Sequence, residues 1–430
     1  MQRTKIVALL IVGAVIIAAM GILLINNDKN SNSMDISASL KIYGNIDEDY
    51  KIDNEDYNLL KKAIENDTTD EFPLADANQD GKVDQNDLDM LDKMVNKRPV
   101  TVYVLDDADA IIKLEYPLTK ILPVTPDMLS LMITLDAKDK IVAYIASIYE
   151  VEQSYILSDK SIRNLGEERQ VNDVTYAGVR EVSIEKGIGA ILFAAPNAVD
   201  KKRADLDAAG IPLLCIRCSE PYEFANACLT LGWLMGGEKE QTGMDIWRFS
   251  YEVYNNIEEK TRDLEKAKCI SITMYRNLSQ KDSQYAYITN VAGGNNITEE
   301  EGIGSTSLST PEAITKYDHA EKIISFRTMD LSVQNIVDSW MNTGHDYLKN
   351  SAIYEDIVYV NLSMPMCARV AYVAEILYPD LFEGYGDRVF KEFVDEFLPY
   401  LNEHASDGDF DVKKDTTTII TYQMYLDAKK

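Results

Sequence analysis

The chain has 430 residues, enough for two or three domains, and 46% of them are hydrophobic, which permits a sizeable core. It carries 71 Asp and Glu against 43 Lys and Arg, a formal net charge of -28. Because nucleic acids are bound through clustered basic residues, this charge argues strongly against nucleic-acid binding. It favours instead either simple solubility or an affinity for cations.

The N-terminus has the pattern of an uncleaved membrane anchor over residues 1–25. Arg3 and Lys5 precede an uncharged, almost wholly apolar run from 6 to 25. A helix of that length spans a bilayer core of about 30 Å, and the basic flank predicts a single-pass protein with most of the chain extracytoplasmic. A cleaved signal peptide is the alternative, although its apolar region is usually shorter. Residues 26–40 are rich in Ser and Asn and are predicted to be a linker.

Residues 43–66 and 74–96 form an internal repeat rich in carboxylates. In the second copy, oxygen-bearing groups stand at the ligand positions of a calcium loop, and Gly81 supplies the turn. The ligands expected there are Asp76, Asn78, Asp80, the carbonyl of Lys82, Asp84 and Asp87. The equivalent groups of the first copy are Asn45, Asp47, Asp49, the carbonyl of Lys51, Asp53 and Asp56. A solvated acidic turn is the alternative for either loop.

The two loops are not expected to bind calcium equally. Tyr50 stands in the first loop where Gly81 stands in the second, and a left-handed backbone at that position is strained for a bulky residue. Asn45 also brings one negative charge fewer than Asp76. We therefore predict two Ca²⁺ sites, of which the second is the stronger.

Each loop is followed by a single helix with an apolar stripe, and the two copies are 31 residues apart. This loop-and-helix repeat resembles a type I dockerin domain over residues 41–98. The resemblance implies a small all-α calcium-binding domain and a cohesin-bearing protein as candidate partner. The loops carry Asn54-Glu55 and Gln85-Asn86 where many dockerins carry Ser/Thr pairs, so the sequence leaves the partner open.

A larger α/β segment begins after Arg98-Pro99. Residues 101–116 predict a β-hairpin, and Pro126 opens a helix with an apolar face. Strand and helix signals then alternate as far as 236, which is the pattern of a parallel sheet. Residues 99–236 are thus predicted to form one α/β lobe. Within it, Cys215 and Cys218 form a C-x-x-C that no second pair completes, so we expect buried thiols and leave open a disulfide to Cys228.

Residues 237–268 predict one long helix without proline, with Gly243 near its start. Its apolar stripe consists of Met244, Trp247, Tyr251, Tyr254, Thr261 and Leu264. A second α/β segment, 269–430, follows it. A continuous helix between two α/β halves predicts a bilobal protein whose lobes face each other across a ligand cleft.

An ordered set of features runs from about 100 to 385: the hairpin, KILPVTPDML, the AGIPLL strand, the long helix, the GGNN turn and LYPDLF. This set resembles the substrate-binding proteins of ABC importers for iron chelates and cobalamin. The resemblance implies two α/β lobes joined by one helix, a ligand held between them with slight closure, and an ABC permease as partner. It also implies that Glu185 and Glu312, one in each lobe, contact the permease.

Ligands of open α/β lobes lie beyond the carboxyl ends of the strands. The cleft residues expected on that basis are Thr125, Pro126, Asp127, Ser147, Asn197, Tyr275, Arg276, Asn277, Arg327, Met364, Met366 and Arg369. Tyr275 and Met364 suit an apolar macrocycle, whereas the three arginines suit anionic oxygens. This favours a ferric siderophore first and cobalamin second.

Other functions remain open at this level. No serine-hydrolase, P-loop or H-E-x-x-H motif is present, so no catalytic residue is nominated and we expect a protein that is not an enzyme. The dockerin resemblance keeps a polysaccharide-degrading enzyme or a surface-display protein as alternatives. A chelatase on a related fold is a further one, with His319 or His345 as its weak candidates for a base.

Overall fold

The computed structural model describes residues 38–145, 161–166, 173–194, 200–273, 277–278, 283–298, 319–327, 355–404, 411–412 and 418–428. The predicted membrane anchor and nearly all of the predicted linker lie outside these ranges. Within them, no helix combines the length and the apolar character needed to cross a bilayer.

The repeat forms two helices, as predicted: α1 (Asn54–Asn66) and α2 (Gln85–Val95). A short 3-10 turn, Thr69–Glu71, lies between them. Both helices begin with the same capping box, in which an Asp at the N-cap and another three residues later bond each other's backbone amides. Leu60 and Leu91, one from each helix, are fully buried. We call residues 39–98 the repeat module.

The repeat module is attached to a β-hairpin of strands β1 (Val100–Leu105) and β2 (Ile111–Tyr116). Ile42 forms an antiparallel bridge with Val104 on the outer edge of the hairpin. The Tyr43 amide donates to the Tyr103 carbonyl at 2.9 Å, and the Leu105 amide donates to the Lys41 carbonyl at 2.8 Å. The module therefore shares backbone hydrogen bonds with the segment that follows it.

The first lobe is an α/β layer, as the alternating pattern predicts. Its strands are β3 (Ile121–Pro123), β4 (Ala143–Tyr144), β5 (Arg163–Asn164), β6 (Ala190–Phe193) and β7 (Leu213–Cys215). Its helices are α3 (Pro126–Thr134), α4 (Asp173–Lys186), α5 (Asp200–Ala208) and α6 (Pro221–Met235). Strands β3, β6 and β7 pair in parallel in that order, so their carboxyl ends lie at one edge.

The long helix is α7, Glu238–Thr261. The prediction is correct for most of its length and wrong at the C-terminal end, where the chain leaves the helix after Thr261 and enters a strand at Lys268. Leu264 was placed on the apolar stripe and is instead 43% exposed, because it lies in this connection. Tyr251, Tyr254 and Ile257 form the buried side of the helix.

The second lobe begins with β8 (Lys268–Thr273). Its other strands are β9 (Asn277–Leu278), β10 (Asn295–Asn296), β11 (Lys322–Arg327), β12 (Ile357–Asn361) and β13 (Ile419–Ile420). Its helices are α8 (Gln284–Val291), α9 (Met366–Leu377), α10 (Pro379–Phe382), α11 (Tyr385–Phe397), α12 (Tyr400–His404) and α13 (Tyr422–Ala428). The sheet order is β10-β8-β11-β12-β13, with β9 also paired to β8. The pairs among β10, β8, β11 and β12 are parallel, and β13 is antiparallel.

Two glycines set the distance between α6 and α7. A Cβ atom added to Gly243 would lie 2.4 Å from the carbonyl oxygen of Cys228. One added to Gly232 would lie 2.6 Å from the carbonyl oxygen of Lys239. Both neighbours are backbone atoms, so neither can move aside without shifting a helix. Since α7 also packs against α9 and α11, this pair of helices connects the two lobes.

We predict that Gly243→Ala lowers the free energy of unfolding by about 1–3 kcal/mol, because the added methyl group overpacks the contact between α6 and α7. Chemical denaturation followed by circular dichroism measures the change. Glu259→Ala, at an exposed position of the same helix, is the matched control and should change stability by less than about 0.5 kcal/mol. Equal stability of Gly243→Ala and the wild type would contradict the close approach.

Candidate functional site

The cleft wall of the first lobe is built at the carboxyl end of β3. Thr125 caps α3, with its hydroxyl accepting a hydrogen bond from the Met128 amide at 3.3 Å, and Pro126 occupies the first turn. Asp127 follows and accepts a hydrogen bond from the Ser219 hydroxyl at 3.1 Å. Ser219 follows β7, so this bond joins the carboxyl ends of β3 and β7, the two outer strands of the three-stranded sheet.

The facing wall comes from the second lobe, where β12 leads into α9. Met364 is fully buried and Met366 is 3% exposed. Arg369, in the first turns of α9, is only 4% exposed, and its Nε donates to the carbonyl oxygen of Met364 at 2.6 Å. That bond fixes the base of the guanidinium against its own loop. Arginine is a residue type that proteins commonly use to bind carboxylate and phosphate oxygens.

The two walls meet at a small cavity of about 10 Å³. It is lined by Asp127, Ser130, Cys218, Phe224, Met366 and Arg369. Three of these, Asp127, Met366 and Arg369, were predicted, and the structure brings them together from both lobes. A volume of this size holds about one water molecule, so the cavity is the floor of the cleft and not a chamber for a large ligand.

Sequence reasoning missed Ser130, Cys218 and Phe224. Cys218 could have been found, since it follows β7 by three residues and strand ends were the criterion. Ser130 and Phe224 lie inside α3 and α6, where only packing reveals which face turns to the cleft. All five cysteines are buried and outside any disulfide, so the disulfide considered for Cys228 does not form.

Other predicted cleft residues are placed only in part. Asn277 is the first residue of β9 and Arg327 the last of β11, both at the edge where the parallel strands end. Ser147, Asn197, Tyr275 and Arg276 lie outside the described residues. For permease docking, Glu185 is exposed near the end of α4, and Glu312 lies outside the described residues. His319 is exposed, and His345 falls outside as well.

A buried ion pair holds the hairpin against the first lobe beside this edge. The Asp106 side chain is inaccessible to solvent and lies 2.5 Å from Nη2 of Arg203. It also accepts from the amides of Ala108 and Ala110 at 3.0 Å, and from the Cys215 amide at 3.1 Å. One carboxylate thus ties the hairpin turn to the end of β7.

A larger cavity of about 280 Å³ lies between the repeat module and the first lobe. Two ion pairs border it, Lys41 with Asp107 and Arg217 with Glu223, each at 3.5 Å. Burial raises the pKa of Glu223, and the nearby Arg217 opposes that rise. This larger cavity shares no lining residue with the cleft floor. An open groove of about 980 Å³ borders α7 at its N-terminal end.

In the second loop of the repeat module, side-chain oxygens already converge on the loop backbone. Asp87 is fully buried and accepts from the amides of Asn78 at 3.0 Å and Asp84 at 2.9 Å. Asp76 accepts from the amides of Asp80 at 3.2 Å and Gly81 at 2.9 Å. Burial raises the pKa of Asp87, and the charges of the neighbouring Asp76 and Asp80 also act to raise it.

The first loop has a similar ring with one difference. Asp56 is 1% exposed and accepts from the amides of Ile46 at 2.6 Å and Asp53 at 2.8 Å, and burial raises its pKa to about 6. The Lys51 ammonium lies 2.5 Å from Asp53. That hydrogen bond lowers the pKa of Asp53 and raises the pKa of Lys51.

The backbone strain predicted at Tyr50 is absent. Gly81 has a φ of +86°, but Tyr50 is not among the residues with positive φ. Glu48 and Gln79, at equivalent positions of the two loops, are left-handed in both, with φ of 56° and 58°. The first loop therefore keeps the left-handed turn at Glu48, but its backbone has no left-handed conformation at Tyr50. The Tyr50 ring can then pack against another part of the protein.

Both loops have the residue types that Ca²⁺ prefers, since hard cations are held by carboxylate, amide and carbonyl oxygens. In the residues that the structure describes, no group of three or more His, Cys, Asp or Glu side chains is close enough to hold a metal ion. In the arrangement seen, the carboxylates bond backbone amides. A calcium ion would have to draw them away from some of these amides.

Comparison with known proteins gives the fold. No protein-family model matches the chain, and no curated protein matches it. Among solved structures, it is similar to the TroA-like periplasmic binding protein FepB from Veillonella parvula, with 16% identity and a TM-score of 0.54. That match covers 69% of this chain and 96% of the other. The chain has the periplasmic-binding-protein fold.

Two further structures with this fold are similar over comparable lengths. Helicobacter pylori CeuE in a Ni-His complex is 16% identical, with a TM-score of 0.53 over 70% of this chain and 96% of its own. The molybdate-binding protein MolA of Haemophilus influenzae, bound to molybdate, is 12% identical, with a TM-score of 0.53 over 69% and 97%. The periplasmic-binding-protein fold accounts for the two lobes, the connecting helix and the cleft between strand ends.

Proposed function

We propose that this protein is the extracytoplasmic substrate-binding component of an ABC importer for an anionic metal chelate. The observation that supports this function most directly is the cleft floor, where Asp127 of the first lobe and buried Arg369 of the second line one cavity. The similarity to solute-binding proteins over almost their whole length supports the same role. In this proposal the protein binds its ligand without chemical change, and the apolar run at 6–25 would tether it to the membrane.

The charge of the cleft favours an anion. Arg369 is held in place by the bond from its Nε to Met364, so little side-chain entropy remains to be lost on binding. Arg327 is the last residue of β11, which is paired in parallel with β12. In a chain with a net charge of -28, arginines at such strand ends suit carboxylate, hydroxamate or catecholate oxygens. We therefore place ferric siderophores first and the neutral corrinoids second.

We predict that Arg369→Met reduces affinity for a ferric siderophore at least tenfold, because a charge-assisted hydrogen bond contributes about 1.5–3 kcal/mol. Equilibrium binding would be measured by intrinsic fluorescence quenching, with thermal unfolding as a check on folding. Arg262→Met, an exposed arginine that forms an i,i+4 ion pair with Glu258, is the matched control and should bind like the wild type. Unchanged affinity of Arg369→Met, or tight binding of cobalamin alone, would contradict an anionic ligand.

Two acidic residues are the proposed contacts with the permease. Glu185 is exposed on α4 of the first lobe, and Glu312 belongs to the second. Carboxylates spaced one per lobe would pair with arginines on a two-subunit permease.

We expect the double variant Glu185→Lys with Glu312→Lys to lose ligand uptake in cells while purified protein keeps its ligand affinity, because only the docking charges are reversed. Glu181→Lys, one turn away on α4 and exposed, is the control for a general charge effect. Normal uptake by the double variant would show that these residues do not dock the permease.

The repeat module is proposed to bind Ca²⁺, in the manner of a dockerin-like module. In the second loop the fully buried carboxylate of Asp87 and the side chains of Asp76 and Asp80 would be ligands. Bound calcium would offset the raised pKa of Asp87 by supplying the neighbouring positive charge. We propose a tight calcium site in the second loop and a weaker one in the first. Binding to a cohesin-bearing protein would be tested by pull-down experiments.

Calorimetric titration of the full chain with calcium should resolve two unequal sites. Asp80→Ala is expected to abolish the tighter one, whereas Asp49→Ala, the equivalent position in the first loop, should leave it intact. The residues are chosen because they occupy the same loop position and each side chain accepts a local bond from the backbone amide two residues later, that of Lys82 or Lys51. Two equal sites, or no heat in the wild type, would refute the proposal.

A further inference from the structure

The first loop of the repeat module packs directly on the long helix α7. The Tyr50 ring stacks on Trp247, with 5.2 Å between ring centroids and 18° between planes. Trp247 in turn packs against Tyr251, with centroids 5.1 Å apart. Offset stacking of this kind stabilises a contact by about 0.5–1.5 kcal/mol beyond the buried area. The loop that carries candidate calcium ligands is therefore also an interface.

Further contacts join the repeat module to α7 and to its neighbour α6. The Lys97 ammonium lies 2.6 Å from Glu240, near the start of α7. It also lies 5.3 Å from the ring centroid of Trp233 in α6, which is within the range of a cation–π contact. Together with the bridge between Ile42 and Val104, these contacts attach the module at three separate points.

The first loop contains its own cation. The Lys51 ammonium lies 2.5 Å from Oδ2 of Asp53 and 4.0 Å from Oδ2 of Asp49, two of the residues expected to bind calcium. Lys82, at the equivalent position of the second loop, is exposed and forms no ion pair with any residue the structure describes. The two copies of the repeat thus differ in how their carboxylates are neutralised.

One buried oxygen in the first loop lacks a donor. Asn45 is fully buried and its Nδ2 donates to the carbonyls of Leu40 and Asp49, each at 2.8 Å. Its Oδ1 is also buried and has no hydrogen-bond partner. An unsatisfied acceptor of this kind costs about 1–3 kcal/mol, and a cation bound in the loop would satisfy it. The loop therefore still has the means to bind a metal ion if Lys51 is removed.

We propose that the first loop is an intramolecular docking site, in which Lys51 stands in for calcium and Tyr50 anchors the repeat module on α7. This difference in role between the two loops rests on the proposed calcium binding of the second loop. The +1 charge of Lys51 offsets part of the repulsion among the loop carboxylates without needing a bound ion. The module then stays attached to the binding domain at any calcium concentration, and the second loop responds to calcium at lower concentrations than the first.

The test is calcium calorimetry on the full chain carrying Lys51→Met, which keeps an unbranched side chain one atom shorter and removes its charge. We expect the affinity of the first loop to rise at least tenfold while that of the second loop stays within twofold of the wild type. Lys82→Met is the matched control and should change neither site more than twofold. Terbium luminescence excited through Tyr50 and Trp247 identifies the loop that has gained the ion.

Hydrogen exchange of the peptide that covers 244–254 tests the docking itself. Removal of calcium with EGTA should leave its protection unchanged in the wild type, whereas Tyr50→Ala should reduce it at least tenfold. If EGTA alone reduces protection as much as Tyr50→Ala, or if Lys51→Met gains no affinity, the docking inference is wrong. A wild type that binds no calcium, with a new site only in Lys51→Met, would refute calcium binding by the second loop and leave the docking role of Lys51 standing.

Discussion

The close approach of α6 and α7 is the constraint on which the rest of the structure depends. Gly232 and Gly243 let two backbones come nearer than any side chain would allow. The first lobe ends in α6, the second lobe packs its helices α9 and α11 on α7, and the repeat module rests on both. A contact made by backbone atoms resists sliding, so the two lobes share a stiff connection with no proline or loop within its longer helix.

This stiffness determines what kind of cleft the protein has. The strand ends of the two lobes face each other, and residues from both already line a cavity that holds about one water molecule. Enclosing a small flexible solute normally needs a hinge that closes the lobes around it. A large, preformed ligand can instead rest on the floor of the cleft and be held by a few fixed groups, of which Arg369 is the best placed.

The spacing of residue types along the chain predicted those helices, strands and loops that are determined by neighbouring residues. Apolar periodicity gave the long helix and the hairpin, and the spacing of the carboxylates gave two loops with one helix after each. The strand-end rule selected Asp127, Met366 and Arg369, which line one cavity in the structure, and their role in ligand binding stays a prediction. Contacts between distant segments could not be predicted in this way. The loop pattern predicts a strained backbone at Tyr50, whereas this residue stacks on a helix almost 200 residues later. The end of α7 likewise depends on where β8 enters its sheet.

The central claim is that the cleft is preformed and its ligand needs little closure of the lobes. It is tested most directly by electron-spin distance measurement between labels at Ile184→Cys in α4 and Leu381→Cys in α10, since both positions are exposed and the native cysteines are buried. Saturation with a ferric siderophore should change the mean distance by less than about 2 Å, as for other pre-organised complexes. A decrease of several ångströms in the mean distance between the labels would show that the lobes close on the ligand and would contradict this account.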